Sequence, residues 1–336
     1  MDSTVHHFGP DAASVGGMAT VIKIFVDYKI GADTVDAYAT WRPREPLATM
    51  VSFARSMRSL LRLPVTDIVH VHLSERGSFL REGPLVLIAH RRGLMTVVTI
   101  HGASFVPFAQ RRPRIAAAVL RSADLVTCLD HDSLSCARRL APGVESALVP
   151  NPIFVDPDFT PADATQEMVV FAGEIGRRKG ADVLCRAWEL IAERRPEARC
   201  VMVGPPRDFA PPTMERLTVL PAVGRSEMLG ILRGARAIAL PSRAEGMPMV
   251  LAEAMSLGRP IVSTPVGGIS ELADDGGFLV RVGDEVELAE RLTDLLADPD
   301  LARRVGERGR RFCSETRGIE IIDARYRTLY SALGDR

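Results

Sequence analysis

The strongest constraint on the fold is an alternation of short apolar runs with helix-like segments, repeated in two series along the chain. Runs rich in valine, isoleucine and leucine that are separated by helices are typical of parallel sheets covered on both faces. The predicted strands span residues 4–8, 67–73, 95–100, 124–129 and 146–150 in the first series, and residues 167–173, 198–204, 235–242, 259–264 and 276–280 in the second.

Residues 151–164, NPIFVDPDFTPADA, separate the two series and have the composition of a linker. A chain of 336 residues is long enough for two domains. We therefore predict two α/β, Rossmann-like, doubly wound domains facing across a cleft, at 1–159 and 160–315, with a last helix at 316–336 packing back on the first. Ligands of such folds bind beyond the carboxyl ends of the strands, so the residues after each strand are the candidate site.

The 42 basic and 42 acidic residues cancel, which gives no global field to attract nucleic acid. Five cysteines without a CxxC pair predict buried free thiols in a reducing cytoplasm. No run approaches the roughly 18 apolar residues of a membrane span, and the first ten residues do not resemble a signal peptide. We expect a cytoplasmic protein, or one that visits the cytoplasmic face of a membrane.

The charge is nevertheless uneven. From Arg42 to Arg121 there are thirteen arginines and four acidic residues, a local excess of 13 − 4 = +9. Two interpretations stay open: solvated helix faces, or a basic surface for an anionic membrane or a phosphorylated acceptor. Residues 105–123, FVPFAQRRPRIAAAVLRSA, interleave arginine with apolar side chains and predict a peripheral membrane contact.

The most informative stretch is PSRAEGMPMVLAEAMSLG, residues 241–258, which holds two glutamates eight positions apart. Pro248 is suited to the first position of a helix, so the N–H groups from Gly246 onward lack intrahelical partners and can bind an anion. Glu253, within the helix, can accept hydrogen bonds from a diol such as a ribose. A glycosidase pair with Glu245 is the alternative, but eight helical residues span about 12 Å, more than such a pair requires.

A second element, FAGEIGRRKGADVL at 171–184, places Arg177, Arg178 and Lys179 between a strand and a helix that Gly180 opens. A lysine there can neutralise a leaving diphosphate without a metal. A solvated basic turn is the other interpretation.

Two weaker elements are Gly16–Gly17 after the first strand and His101 at the end of a strand; the first is often only a turn, and a lone histidine is more often structural. Asp130 and Asp132 resemble a DxD metal site, but we expect Asp132 or Ser133 to cap a helix. Because no zinc spacing or phosphate loop is present, we predict no metal and no cofactor.

In this order, the elements resemble the family-4 retaining glycosyltransferases of the GT-B fold over nearly the whole chain. The segment PSRAEGMPMVLAEAMSLGRPIVSTPVGGISEL carries the family's E-x7-E motif at Glu245 and Glu253. The other matching motifs are GGM at 16–18, HG at 101–102, VPN at 149–151 and KG at 179–180.

The resemblance implies that most site residues bind the nucleotide-sugar donor. Glu253 would hold the ribose and Lys179 the diphosphate. Backbone groups of Gly246 and Met247 would contact the diphosphate and the sugar. The remaining implied contacts are Ala222 and Val223 against the nucleobase, and Gly17 near the diphosphate and the acceptor.

Two side chains would also touch the transferred sugar: Glu245 near the reacting centre, and His101 from the opposite domain. One position departs from the family, which usually has an arginine where this chain has Glu174. Our hypothesis is that Arg177 or Arg178 supplies the missing charge.

The implied reaction moves a hexose from a UDP- or GDP-linked sugar to a hydroxyl acceptor with retention of the anomeric configuration. Front-face attack assisted by the leaving phosphate is the family's favoured description. The predicted setting is cell-envelope polysaccharide or glycolipid synthesis with a sugar or lipid-linked acceptor. The alternatives are a glycosyltransferase for a small-molecule natural product, a sugar-nucleotide-binding protein without catalysis, and a sugar-nucleotide epimerase.

Overall fold

The computed structural model of the chain describes residues 4–14, 16–42 and 45–334, without the side chains at 274 and 275. The chain forms two compact units. The first contains Met1–Pro152 and Ile319–Arg336, and the second is Ile153–Gly318. These boundaries lie a few residues from those predicted from composition, because the prolines and aspartates of the linker belong to the start of the second unit.

The first unit is built on a six-stranded parallel sheet in the order β2-β1-β3-β4-β5-β6. Its strands are β1 (Val5–Pro10), β2 (Val35–Trp41), β3 (Ile68–Leu73), β4 (Met95–Ile100), β5 (Leu125–Cys128) and β6 (Glu145–Leu148). Its helices are α1 (Gly17–Asp27), α2 (Pro46–Leu60), α3 (Gly77–Arg81), α4 (Gly83–Arg91), α5 (Phe105–Arg111), α6 (Pro113–Leu120), α7 (His131–Leu140) and α14 (Ile319–Gly334).

The two faces of this first sheet differ in chemistry. Side chains alternate along a strand, so residues two apart share a face. Val69, Val71 and Leu73 of β3 join the apolar cluster beneath α2 to α7. The intervening His70 and His72 are buried on the other face, where Tyr326 of α14 packs on Phe25 of α1 with ring centroids 5.0 Å apart. The second face is therefore a buried polar layer.

The second unit holds another six-stranded parallel sheet, in the order β12-β11-β10-β7-β8-β9. Its strands are β7 (Met168–Ala172), β8 (Arg199–Val203), β9 (Leu217–Leu220), β10 (Ala237–Leu240), β11 (Ile261–Ser263) and β12 (Gly277–Leu279). Its helices are α8 (Ala181–Arg194), α9 (Arg225–Gly234), α10 (Met249–Ser256), α11 (Ser270–Gly276), α12 (Glu285–Ala297) and α13 (Pro299–Arg317).

The predicted fold class is confirmed: both units are doubly wound parallel sheets, and all ten predicted strands are present. Two strands, β2 and β9, were not predicted. Both lie at a sheet edge and expose several side chains, so neither reads as a continuous apolar run. All five cysteines are buried free thiols, as expected.

Candidate functional site

The order of strands in the second unit creates a switch point between β7 and β10. From β7 the chain winds outward through β8 and β9, and from β10 it winds the other way through β11 and β12. Loops at such a point diverge and leave a crevice at the carboxyl ends of the strands. The loops here are 173–180 after β7, 241–248 after β10 and 264–269 after β11.

Two glycines let these three loops touch through their backbones. Gly180 is left-handed (φ 77°), and a Cβ there would lie 1.9 Å from the carbonyl oxygen of Pro241. Gly267 has φ 55°, and a Cβ there would lie 2.0 Å from the carbonyl oxygen of Glu245. The Gly268 N–H donates to the Gly246 carbonyl at 2.7 Å. A side chain at either position would force the loops apart.

A lysine–glutamate pair lies where these loops meet. The distance from Lys179 Nζ to Glu245 Oε1 is 2.6 Å, with side chains 14% and 6% exposed. The Ser242 hydroxyl donates to the same carboxylate oxygen at 2.7 Å. Arg178 lies 3.7 Å from the other oxygen, Oε2, and donates to the Ala244 carbonyl at 3.1 Å. Two basic residues predicted from the sequence, Arg178 and Lys179, therefore lie against the carboxylate of a third predicted residue, Glu245.

Arg177, the third basic residue of this loop, has different neighbours. Its guanidinium lies 3.7 Å from Asp182 Oδ2 and 5.9 Å from the centre of the Phe209 ring. Its main-chain N–H donates to Asp208 Oδ1 at 2.9 Å. The carboxylate of Glu174 faces Arg207 at 3.7 Å.

Sequence reasoning missed Arg243 and Asp182, which brace the same loops. Arg243 donates to both oxygens of Asp182 at 2.7 and 2.8 Å and to the carbonyl of Arg177. Burial alone would raise the pKa of Asp182, but the hydrogen bonds and charge of Arg243 outweigh it and hold that pKa below its ordinary value. A bidentate pair of this kind fixes the position of a loop.

Glu253 is buried in α10, and its carboxylate accepts a hydrogen bond from Arg225 Nε at 3.3 Å. Burial raises the pKa of Glu253, and the Arg225 charge opposes that change. Arg225 opens α9 directly after the loop containing Ala222 and Val223, so that loop lies on the Glu253 side. Sequence analysis did not identify Arg225, since its partner is 28 positions away.

The start of α10 needs one correction. The helix begins at Met249, and Pro248 is its N-cap rather than its first residue. Gly246 and Met247 are buried just before it, and Met247 Sδ accepts from Arg317 at 3.6 Å.

The first unit has its own switch point, between β1 and β3, and His101 follows the nearby strand β4. His101 Nε2 lies 2.8 Å from His72 Nδ1, and His72 Nε2 lies 2.8 Å from His7 Nδ1. Burial lowers the pKa of His7 and of His101 to about 3. Gly17 opens α1 and is exposed.

Three histidines of the first unit, His7, His70 and His72, have ring nitrogens within 4.8 Å of one another. A metal binds in the plane of an imidazole, but His72 stacks on His70 with an interplanar angle of 14° and on His7 at 24°. Both nitrogens of His70 and of His72 already have hydrogen-bond partners. This geometry does not fit a shared metal ion, and the sequence expectation of no metal stays a prediction.

The resemblance of Asp130 and Asp132 to a metal motif has a local explanation. Asp130, not Asp132 or Ser133, is the N-cap of α7, and it accepts hydrogen bonds from the N–H and the hydroxyl of Ser133 at 2.7 and 2.8 Å.

Residues 105–123 are only partly exposed, and their predicted membrane contact stays a prediction. Phe105, Ala109, Val119 and Leu120 are buried in the core of the first unit, so α5 and α6 expose arginines but few large apolar side chains. Arginine interleaved with apolar residues here marks two helices that pack their apolar faces inward. Within the described part of the chain, no helix is long and apolar enough to cross a membrane.

Comparison with known proteins gives two family matches. The model described as Glycosyl transferase 4-like domain matches residues 12–152, and the one described as Glycosyl transferases group 1 matches residues 166–298. Between them, these models match most of the chain.

Curated relatives align over only part of their length. A D-inositol 3-phosphate glycosyltransferase of Nocardia farcinica is 33% identical over 160 residues, which are 43% of this chain and 36% of that protein. An N-acetyl-alpha-D-glucosaminyl L-malate synthase of Bacillus anthracis is 41% identical over 93 residues, 27% of this chain and 24% of that protein. The chain therefore spans well under half the length of these relatives.

Solved structures match the whole chain in fold. A sucrose-phosphate synthase from Thermosynechococcus elongatus superposes with a TM-score of 0.79 at 19% identity, covering 99% of each chain. HepE of Anabaena, in complex with UDP and glucose, gives a TM-score of 0.74 at 18% identity and covers 97% of this chain and 99% of HepE. At these identities the likeness concerns the fold.

Proposed function

The chain belongs to the family-4 glycosyltransferases of the GT-B fold, and from this premise we propose that it transfers a hexose from a nucleoside-diphosphate sugar to a hydroxyl acceptor with retention of configuration. The site that supports the proposal is in the second unit, where loops from β7 and β10 carry both cations and carboxylates.

The observation that carries the proposal is the pair formed by Lys179 and Glu245. The lysine is held 2.6 Å from a carboxylate at the switch point of a parallel sheet, beside the N-terminus of α10. A diphosphate entering here meets a lysine, Arg178 and the N-terminal turn of α10, and each of these favours an anion. The same contacts stabilise the diphosphate as it leaves, so the residues supply the charge that a metal would otherwise bring.

Arg178 is the better candidate for the charge that Glu174 does not provide. It shares the Glu245 carboxylate with Lys179, whereas Arg177 is turned toward Asp182 and Phe209. We expect Arg178→Ala to weaken diphosphate binding measured by calorimetry, and Arg177→Ala to change it little. Equal affinity in both variants and the wild type would contradict this assignment.

Glu253 is assigned to the ribose. Its carboxylate is buried and, within the described part of the chain, Arg225 is its one donor, so it retains acceptor capacity for two adjacent hydroxyls. Ala222 and Val223 precede α9 beside it, which suits contact with the nucleobase through backbone atoms.

We propose front-face attack by the acceptor, because the described site offers no side chain with the surroundings of a covalent nucleophile. Glu245 is held by Lys179 and Ser242 and is better placed to orient the sugar than to attack it. The leaving phosphate then takes the acceptor's proton, and His101 contacts the sugar. Domain closure would exclude water, which would otherwise hydrolyse the donor.

Two acceptor classes remain in the proposal. The names of the related proteins include an inositol phosphate and L-malate, which are small hydroxyl compounds bearing an anionic group. That supports the small-molecule alternative. A lipid-linked acceptor in envelope polysaccharide or glycolipid synthesis is supported by the surface of the first unit.

That surface is α2, which lies next to α4 on the same face of the sheet. Leu47, Met50 and Val51 are 78%, 69% and 50% exposed, and their spacing of three and four places them on one side of the helix. Arg55 and Arg58 follow on the exposed side, and α2 contains no acidic residue. Apolar side chains flanked by arginine fit an anionic bilayer, so we propose peripheral contact through α2, with 105–123 adding charge.

Vesicle sedimentation tests this contact. We expect salt-sensitive binding to vesicles containing anionic lipid, lost on combining Leu47→Ser with Met50→Ser. Val282→Ser with Val286→Ser is the matched control, since those exposed valines belong to the second unit. A wild-type protein that stays in the supernatant at low salt would rule out the membrane and favour a small-molecule acceptor.

The first experiment is a thermal-shift panel of UDP, GDP, ADP and their sugar conjugates with EDTA present. A ligand at 100 times its dissociation constant stabilises by about 2.7 kcal/mol, which raises the melting temperature visibly. We expect one nucleotide to do so in the wild type and in Lys23→Ala, an exposed lysine of the first unit, but not in Lys179→Ala. No shift from any nucleotide would overturn the donor assignment.

Turnover separates the remaining alternatives. A transferase releases free nucleoside diphosphate only when an acceptor is supplied. A binding protein without catalysis stabilises with the donor but never consumes it, and an epimerase converts the donor without acceptor and without releasing the sugar.

A further inference from the structure

The buried polar face of the first sheet contains a row of three hydrogen-bonded histidines, here called the histidine relay: His7, His72 and His101. His7 Nδ1 lies 2.8 Å from His72 Nε2, and His72 Nδ1 lies 2.8 Å from His101 Nε2. Burial lowers the pKa of all three rings well below 6.5, so each is neutral at pH 7. The remaining nitrogen of His7, Nε2, is buried and has no hydrogen-bond partner among the residues that the structure describes.

Neutrality leaves two arrangements of protons. A neutral imidazole has one N–H and one bare nitrogen, so each N···N contact requires one donor and one acceptor. If His72 donates to His101, then His7 must donate to His72. If His101 donates instead, every bond reverses. No mixed arrangement satisfies both contacts.

The unpartnered nitrogen of His7 selects between the two arrangements. When the protons point toward His101, His7 Nε2 is a bare acceptor against the Phe25 ring, whose centroid is 4.6 Å from that of His7. When they point the other way, the same nitrogen carries an N–H with no acceptor. Buried N–H groups without an acceptor are the rarer defect in proteins, so the first arrangement is favoured.

We propose that His7 and His72 are positioning residues that fix His101 in the tautomer with its proton on Nδ1. His101 Nε2 is then held by His72, and Nδ1–H is the group left to contact a ligand. Resting on the proposed function, this makes His101 a hydrogen-bond donor to an oxygen of the transferred sugar. It also excludes His101 as the base, because its bare nitrogen is already occupied by the His72 proton.

His70 supplies an internal comparison. It stacks on His72 with centroids 4.5 Å apart, but its nitrogens pair with the hydroxyls of Tyr330 and Thr99 at 2.7 and 2.6 Å. Removing the Tyr330 hydroxyl therefore disturbs the same buried layer without touching a bond of the histidine relay.

Nitrogen NMR of the full chain labelled with ¹⁵N-histidine tests the proton positions directly. We expect protonated Nδ1 and bare Nε2 on all three rings, with couplings through the hydrogen bonds joining His7 to His72 and His72 to His101. A protonated Nε2 on His101, or a charged ring at pH 7, would overturn the proposal. So would Zn²⁺, added to EDTA-treated protein, shifting the nitrogens of His7, His70 and His72 together, because those nitrogens would then be metal ligands.

Kinetics tests the positioning role. We expect His72→Phe to lower kcat about tenfold, the loss of one misdirected hydrogen bond, while affinity for the free nucleoside diphosphate is unchanged. His72→Asn, whose amide can replace Nδ1–H, should restore most of kcat, and Tyr330→Phe should leave it within about twofold. Similar losses in His72→Phe and Tyr330→Phe would overturn the positioning role.

The NMR and kinetic experiments distinguish a failure of this inference from a failure of the proposed function. If the wild-type protein transfers no sugar, the proposed function fails, but the tautomer of His101 is still decided by NMR.

Discussion

The two units place opposite chemistry at equivalent positions of the same fold. Each is a six-stranded parallel sheet with a switch point in its middle. All seven histidines of the sequence lie in the first unit, and the second has none. The second unit instead surrounds its switch point with ion pairs: Lys179 with Glu245, Arg243 with Asp182, and Arg225 with Glu253.

This difference shows how one architecture can divide the work of a reaction. Ion pairs can exchange partners, so a charged site accepts and releases a charged ligand. Neutral rings joined to one another have no net charge to exchange, and they hold a geometry instead. The second unit is therefore suited to the diphosphate, and the first to the orientation of uncharged hydroxyls.

Low pH should produce the largest difference between the two units, which is a difference in stability. The folded rings of His7, His70 and His72 stay neutral because burial lowers their pKa, whereas the unfolded rings take up protons below about pH 6.5. Protons therefore bind the unfolded state more tightly, and stability falls as pH falls. Three such rings cost about 4 kcal/mol between pH 7.5 and 5.5.

Hydrogen exchange followed by mass spectrometry measures this for each unit in one sample. Peptides of β1 and β3 should lose protection at pH 5.5, after correction for intrinsic rates, while those of β7 and β10 keep it. Equal loss in both units would contradict the comparison.

Gly180→Ala should destabilise the second unit by about 3 kcal/mol, which combines left-handed strain with overpacking. The added Cβ would meet the carbonyl of Pro241 at 1.9 Å. Gly283→Ala is the matched control, since Gly283 is also left-handed (φ 84°) but has no atom within 4 Å of a Cβ. We expect the control to cost about 1 kcal/mol. Denaturant unfolding measures both, and similar midpoints would show that the loops do not need this contact.

Glu245→Gln should separate binding from transfer. Lys179 loses its carboxylate partner, so we expect a loss of about 2 kcal/mol in stability, less than for a fully buried pair. Nucleoside diphosphate affinity should be kept or rise, because the lysine no longer has a competing anion, whereas transfer is lost. Glu174→Gln, whose carboxylate faces only the exposed Arg207, should change neither. Calorimetry that shows weaker binding in Glu245→Gln would contradict the expectation that Glu245 competes with the diphosphate for Lys179.

Arg225→Leu should have the smallest effect, and it should depend on pH. Arg225 opposes the rise in the pKa of Glu253 that burial causes, so its removal moves that pKa further up. A protonated Glu253 accepts fewer hydrogen bonds, so nucleotide affinity should fall with falling pH at a higher pH in the variant than in the wild type. Arg233→Leu, on the same helix but paired with Asp156, is the control. A pH-independent affinity in Arg225→Leu would argue against Glu253 as the ribose ligand.

Much of the fold could be predicted from the sequence because the inner strands of both sheets are largely buried and most of them read as apolar runs. Of the edge strands, β6 and β12 were predicted but β2 and β9 were not, since exposed side chains interrupt the apolar pattern of β2 and β9. Residues 105–123 were predicted to contact a membrane because arginine every few positions fits both an amphipathic core helix and a membrane contact. Only packing distinguishes the two.

The candidate site divides in the same way. Lys179 and Glu245 were identified because each lies in a turn before a helix, where a charge can meet a ligand, and Glu253 because it is a carboxylate in an apolar helix, eight positions after Glu245. Arg225 and Arg243 were missed because their partners are 28 and 61 positions away. His70 and His72 carried a usable signal, since a spacing of two in a strand puts both on one face, but their link to His101 depends on the neighbouring strand.

The last helix, α14, belongs to the first unit, so that unit is completed only after the second has been translated. The chain leaves the first unit after Pro152 and returns at Ile319, once the second unit is complete. Tyr326 and Tyr330, which contact the buried His70, are therefore translated after the whole of the second unit. A nascent chain that stops at Gly318 contains the complete second unit. Its first unit lacks α14, so Tyr326 and Tyr330 do not yet cover the buried polar layer. The first unit therefore starts to be translated before the second unit but can complete its fold only after it.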